Sequence, residues 1–144
     1  MNELPAEIEA FVMAQPVARL ATVDRQGLPH VVPVCFVWSG GRLYTPVDEV
    51  KPKAVGVEQL QRVRNIRSQR HVQVLLDHYD DDWARLAFVQ IRGSAYLLSE
   101  GPEYEDAAVL LKDKYRQYAK SGLERRPIIK VVPERLVTWG AVGP

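Results

Sequence analysis

Apolar and polar positions alternate in two distinct rhythms along this chain. Near the start, Ile8, Phe11 and Val12 recur at helical spacing behind Pro5, a residue suited to a first helical turn, and Pro16 closes the segment. The rhythm then becomes that of strands. Val17 to Asp24 is rich in small and β-branched residues, His30 to Trp38 is a long apolar run, and Leu43 to Val47 is a third. Short Gly-bearing turns at Arg25–Pro29 and Ser39–Arg42 separate them, which predicts an antiparallel meander. Pro33 and Pro46 lie inside these runs. A proline donates nothing to a ladder, so each marks an edge, a bulge or a break: a barrel corner, or an edge left open for a ligand.

After an irregular stretch from Asp48 to Gly56, Val57, Leu60 and Val63 give the apolar side of a helix reaching about Gln69. His71 to Tyr79 reads as a fourth strand and Leu86 to Leu98 as a fifth. In the fifth, Ala87, Val89, Ile91, Gly93, Ala95 and Leu97 share one face, and Phe88, Gln90, Arg92, Ser94 and Tyr96 the other. Tyr104, Ala108, Leu111, Tyr115 and Tyr118 form one helical stripe, with Pro102 in the first turn and Gly122 as a stop. Arg135 to Ala141 is the sixth strand. Six strands in hairpins with flanking helices predict one α+β domain over residues 1–144, a small antiparallel barrel with helices on its flanks.

Composition narrows the class. Nineteen basic against eighteen acidic residues leave a net charge of +1, so electrostatic function requires local clustering. The single cysteine, Cys35, excludes an intramolecular disulfide and a cysteine-based zinc site. Within the apolar run Val34-Cys35-Phe36 it reads as a structural thiol. No secretory signal and no apolar run of membrane-spanning length is visible, so the expected location is the cytoplasm, with no membrane partner.

Charge does cluster between Lys51 and Arg70, where six basic side chains accompany one acid, Glu58. This is either a solvated helix face or an anion site. Lys51 and Lys53 on a loop before a helix suit a phosphate, helped by the free N–H groups of the helix start. Arg64, one turn beyond Leu60, is positioned near the buried stripe and could reach inward. Asp77, Asp80, Asp81 and Asp82 with His78 have ligand chemistry but no calcium-loop spacing, so a charged loop is expected there and no metal site. No nucleophile elbow accompanies the scattered histidines. A nucleic-acid-binding barrel using the basic patch and stacking aromatics is a further reading; the near-zero net charge and the absence of basic residues interleaved on the strands oppose it, and no nucleic-acid partner is expected.

The segments Val17–Asp24 and Gly27–Val34, then Leu43–Asp48, Lys51-Pro52-Lys53 and Arg64–Arg67, resemble the pyridoxamine-5′-phosphate-oxidase-like split β-barrels. Asp77–Trp83 and Trp139 resemble the deazaflavin-dependent, coenzyme F-420 branch in particular. The resemblance runs from Phe11 to Ala141 and implies a homodimer with cofactor sites at the subunit interface. It implies an oxidoreductase transferring hydride to a small conjugated molecule through coenzyme F-420, with FMN in an oxidase, reductase or electron carrier as the alternative. Carried over by position, Val32, Pro33 and Val34 lie along the ring. Thr45, Pro46 and Val47 contact the ring and ribityl chain, and Lys51 and Lys53, with Arg64 as substitute, hold the phosphate. Gln90 and Trp139 come from the partner subunit. The usual Asn-Pro after the middle helix is Gln69-Arg70 here, and the arginine set of true pyridoxamine-phosphate oxidases is not evident, which opposes vitamin B6 oxidation. No side chain emerges as an acid or base.

Overall fold

Helix α1 (Ala6–Ala14) leads into four strands: β1 (Ala18–Val23), β2 (Pro29–Val34), β3 (Val37–Ser39) and β4 (Arg42–Pro46). Helix α2 (Gln61–Ser68), strands β5 (His71–His78) and β6 (Ala87–Leu98), helix α3 (Pro102–Lys114) and strand β7 (Ile128–Gly140) follow. The computed structural model describes residues 3–47, 60–118 and 126–142. Lys51, Lys53, Val57 and Gly122, which carry sequence expectations, lie outside these described residues.

Within the described residues the seven strands form one sheet in the order β2-β1-β5-β6-β7-β4-β3, every pairing antiparallel. Its two edges, β2 and β3, come from one continuous stretch of chain. The expected single strand His30–Trp38 breaks at Cys35-Phe36, so six expected strands become seven. The break follows from position. Pro33 pairs with Arg19 on an edge strand, where a missing N–H costs no ladder bond on the open side. Beyond it, the Phe36 N–H donates instead to the hydroxyl of Tyr115, 3.0 Å away. Pro46 ends β4 opposite Ile128. The last strand begins at Ile128, seven residues before the expected start at Arg135. Pro133 and Glu134 disguise it: β6 and β7 shift register beside Gly93, where Glu134 bulges.

One face of the sheet curls around the main core. Leu20, Val74, Leu76, Val89, Ile91, Ile129 and Val131 point into it, and α1 and α2 close it with Ile8, Val12, Val63 and Ile66. Burying such a side chain stabilises the fold by about 1.5–3 kcal/mol. A second core lies where α3 covers the opposite face of β3 and β4 through Tyr104, Ala107, Ala108 and Leu111. Tyr115 caps α3 and Tyr118 lies beyond that cap, so the helix is shorter than the aromatic stripe predicts. No helix of the described residues is long and apolar enough to cross a membrane.

Candidate functional site

The outer face of β1, β2, β5, β6 and the second half of β7 has no helix over it among the described residues. Strict alternation places apolar and aromatic side chains there: Val31 is 63% exposed, Leu75 37% and Trp139 53%. Register orders them into rows. Pro33, Arg19, Leu75, Gln90 and Val137 stand side by side. In the next row Asp77, Phe88 and Trp139 align, and the Phe88 and Trp139 rings stack with centroids 5.9 Å apart at 21°. The Arg19 guanidinium donates to the Asp77 carboxylate at 3.0 Å, joining the rows. Gln90 and Trp139 therefore share one open face. Such a surface offers flat apolar area with few polar handles, suited to a planar ligand or a second protein surface.

The other expected residues divide between the faces. Val32 and Val34 point into the core and Pro33 points out. Thr45, Pro46 and Val47 are buried at the end of β4, where the Val47 N–H donates to the carbonyl of Pro127 at 3.0 Å. The Thr45 hydroxyl has no hydrogen-bond partner among the described residues although it is fully buried. A buried hydroxyl without a partner costs about 1–3 kcal/mol, and a ligand group reaching it would recover that.

Arg64 does not reach inward. Val63, Asn65 and Ile66 are the buried residues of α2, and Arg64 is exposed. The reason is helical phase: 100° per residue puts Arg64 outside when Val63 and Ile66 are inside. It lines an open cleft of about 570 Å³ between α2 and the β1–β2 turn, with Arg25, Arg67, Gln61 and Ser68. Asn65 anchors this helix, its amide donating to the Thr22 hydroxyl at 2.9 Å in the interior. The cleft is cationic and polar, and fits a phosphate or carboxylate better than a ring.

The acidic loop is a structured turn. Asp80 accepts from the Asp82 N–H and lies 3.7 Å from His78 and 3.6 Å from Arg85. Trp83, on a short 3-10 turn, is 72% exposed. Trp38 is core, its indole N–H donating to Glu9 at 3.1 Å.

Sequence reasoning missed two polar clusters. The Tyr44 hydroxyl donates to Glu103 at 2.6 Å, and Lys130 meets the same carboxylate at 2.8 Å. Burial and the Glu103 carboxylate raise the Tyr44 pKa, while the bonds from Lys130 and Tyr44 lower that of Glu103. The Lys114 ammonium donates to the carbonyls of Gln15 and Phe36 and lies 3.7 Å from the centre of the Phe36 ring. Burial lowers its pKa from 10.5 to about 8. Both clusters join residues far apart in sequence, so no local spacing announces them.

The model for pyridoxamine 5′-phosphate oxidase matches residues 4–140. A 5a,11a-dehydrotetracycline/5a,11a-dehydrooxytetracycline reductase from Streptomyces rimosus is 30% identical over 141 residues, covering 92% of this chain and 80% of that protein. The heme storage protein HutZ of Vibrio cholerae superposes with a TM-score of 0.72 at 16% identity, covering 96% of this chain and 94% of its own. An F420 reductase superposes with a TM-score of 0.68 at 22% identity, covering 93% and 98%. At those identities the two structures speak for the fold alone.

Proposed function

The chain belongs to the pyridoxamine 5′-phosphate oxidase family, and from that premise we propose a deazaflavin-dependent oxidoreductase that reduces a small conjugated molecule. The observation that carries the reading is the open sheet face bearing Gln90, Leu75, Val137 and the Phe88–Trp139 stack. A second copy laid on that face would bring Gln90 and Trp139 to the cofactor of its neighbour. The relative at 30% identity is a reductase of a conjugated polycyclic compound, which supports the substrate class.

The residues fit the group. The Thr45 hydroxyl, which has no hydrogen-bond partner among the described residues, offers a donor and acceptor at the end of β4, beside Pro46 and Val47. Val32, Pro33 and Val34 offer an edge strand whose outward backbone groups are unpaired in the sheet. Lys51 and Lys53 are the assigned phosphate ligands, and the Arg64 cleft is positioned to take further negative charge. When bound, coenzyme F-420 supplies a two-electron hydride donor. The protein's share is to hold the ring flat, exclude water with its apolar face, and orient the substrate. FMN shares the tricycle, ribityl chain and phosphate, so these residues serve either cofactor. The tilt toward the deazaflavin comes from Arg62, Arg67 and Arg70, which extend cationic surface toward an acidic tail.

The test is turnover. Purified protein supplied with chemically reduced F-420 and a tetracycline-type enone should reoxidise the cofactor with loss of the enone double bond, one molecule per molecule. Reoxidation with reduced FMN alone would overturn the deazaflavin assignment, and none with either would overturn the reductase reading.

A further inference from the structure

Gly40 and Gly41, both at positive φ, turn β3 into β4 in two residues and set Ser39 opposite Arg42. Arg42 and Tyr44 share one face of β4, and Lys130 of β7 stands opposite Tyr44 on that face. Over them α3 presents Glu103, Asp106 and Leu110, spaced i, i+3 and i+7 along one side of the helix. Between hairpin and helix lies a cleft of about 480 Å³. Its lining comes from β3, β4 and their turn, from α3 and from the first half of β7. None of it comes from the open strands on which a second copy is placed.

The four charges of this cleft do not all cancel within the protein. Glu103 is engaged, since it accepts from Tyr44 at 2.6 Å and pairs with Lys130 at 2.8 Å. Arg42 and Asp106 remain. The Arg42 guanidinium donates to the Gly41 carbonyl at 3.1 Å, and no carboxylate pairs with it among the described residues. The Asp106 carboxylate has neither an ion pair nor a hydrogen bond among those residues. Both charges stand near the Tyr44 hydroxyl: beyond burial and Glu103, which raise its pKa, Arg42 lowers it and Asp106 raises it further. Opposite charges that line one cleft without pairing match a ligand that carries both signs.

The cleft has the volume of a small-molecule site, and Leu110 with Ala107 gives it an apolar wall. The Arg42 guanidinium offers a planar fork to the two oxygens of a carboxylate. The Asp106 carboxylate accepts from an ammonium. The Tyr44 hydroxyl donates to Glu103 and keeps a lone pair that can accept a second ammonium N–H. The Tyr44–Glu103–Lys130 cluster holds α3 against β4 and β7, which fixes the distance between the two unpaired charges.

We propose that the cleft between Arg42 and Asp106 binds an α-amino acid as its zwitterion, the carboxylate on Arg42, the ammonium on Asp106 and an apolar side chain against Leu110 and Ala107. A ligand with a single charge leaves one of the two groups unpaired, so a simple acid or amine of the same shape binds more weakly. The cleft shares no residue with the Thr45, Lys51 or Arg64 groups or with the open sheet face, so the inference stands apart from the cofactor reading.

Isothermal titration of the purified protein, with and without bound cofactor, with leucine, N-acetyl-leucine, leucinamide and glycine tests this. Leucine should bind saturably, one molecule per chain. N-acetyl-leucine, which lacks the ammonium, and leucinamide, which lacks the carboxylate, should each bind about tenfold or more weakly, the size of one charge-assisted contact. Glycine, which has no side chain for the apolar wall, should also bind more weakly than leucine. Arg42→Gln and Asp106→Asn should each weaken leucine about tenfold or more. The preferences should then vanish selectively: Arg42→Gln should bind leucine and leucinamide alike, and Asp106→Asn should bind leucine and N-acetyl-leucine alike. Each variant should melt close to the parent temperature, which separates lost binding from lost folding. Arg116→Gln, an exposed site beyond α3, should leave leucine binding unchanged. No saturable binding of leucine, equal binding of either singly charged analogue or of glycine by the parent chain, or undiminished leucine binding in both cleft variants would overturn the proposal.

Discussion

Lys114 is the residue whose environment departs furthest from its chemistry. Its stem lies among Phe36 and Tyr115, yet its ammonium meets two carbonyls. With the native pKa near 8 and the ordinary value at 10.5, the folded chain binds fewer protons than the unfolded chain between those limits. Stability therefore rises with pH from about 8 toward 10.5. Tyr115, pushed up by burial to about 12, acts oppositely above its ordinary value of 10. Thermal melts from pH 7 to 10 should show a rising midpoint in the parent chain and a flatter profile in Lys114→Met. Parallel profiles would show that this ammonium is as well solvated folded as unfolded. Neither this cluster nor the burial of the Thr45 hydroxyl was legible in the sequence. A lysine in the last turn of a helix reads as a solvated dipole partner, and only the tertiary approach of Gln15 and Phe36 makes it an interior group.

At the scale of elements, Glu103 fastens α3 to the sheet. It receives Tyr44 from β4 and Lys130 from β7, two adjacent strands whose register places Tyr44 opposite Lys130. A hydrogen bond to a charged group contributes about 1.5–3 kcal/mol. Tyr44→Phe should lower stability by about that amount in urea titration, and the loss should shrink in a Glu103→Gln background, since the acceptor's charge gives the bond its strength. Full additivity would show that the ring's packing matters and the hydroxyl does not. Protonating Glu103, whose native pKa lies below 4.5, should loosen the same joint only as pH falls below that value. The alternation of β6 and the Pro102 start of α3 could be read directly because a single local period governs each. The break at Cys35-Phe36 and the early start of β7 could not. The first depends on Tyr115 capturing an N–H from 79 residues away, and the second on a bulge that interrupts the period.

At the scale of the whole molecule, the α+β half-barrel has one face closed by α1 and α2 around the core and the other, among the described residues, open across five strands. Exposed Val31, Leu75 and Trp139 on that face are expected to meet a second copy. Light scattering of the cofactor-loaded protein should give a particle of about twice 16.3 kDa, and Leu75→Glu should return it to the monomer, because an isologous contact meets the new charge twice. A parent chain that is monomeric with cofactor bound would remove the shared site. The fold was legible from strand runs and turns spread over the whole chain. The division of site residues between faces followed from period-two alternation once the strands were placed, whereas Arg64's outward phase required knowing where α2 begins.

The central claim is that this chain holds a deazaflavin, and the direct measurement is a spectral titration of purified protein with coenzyme F-420 and, separately, with FMN. The parent chain should bind F-420 more tightly than FMN, at one molecule per chain. Lys51→Ala and Lys53→Ala should each weaken F-420 by about 10- to 150-fold, the equivalent of one charge-assisted contact, while leaving binding of its dephosphorylated ring-and-ribityl core nearly unchanged. Tighter binding of FMN, or lysine variants that lose phosphorylated cofactor and core alike, would contradict the account.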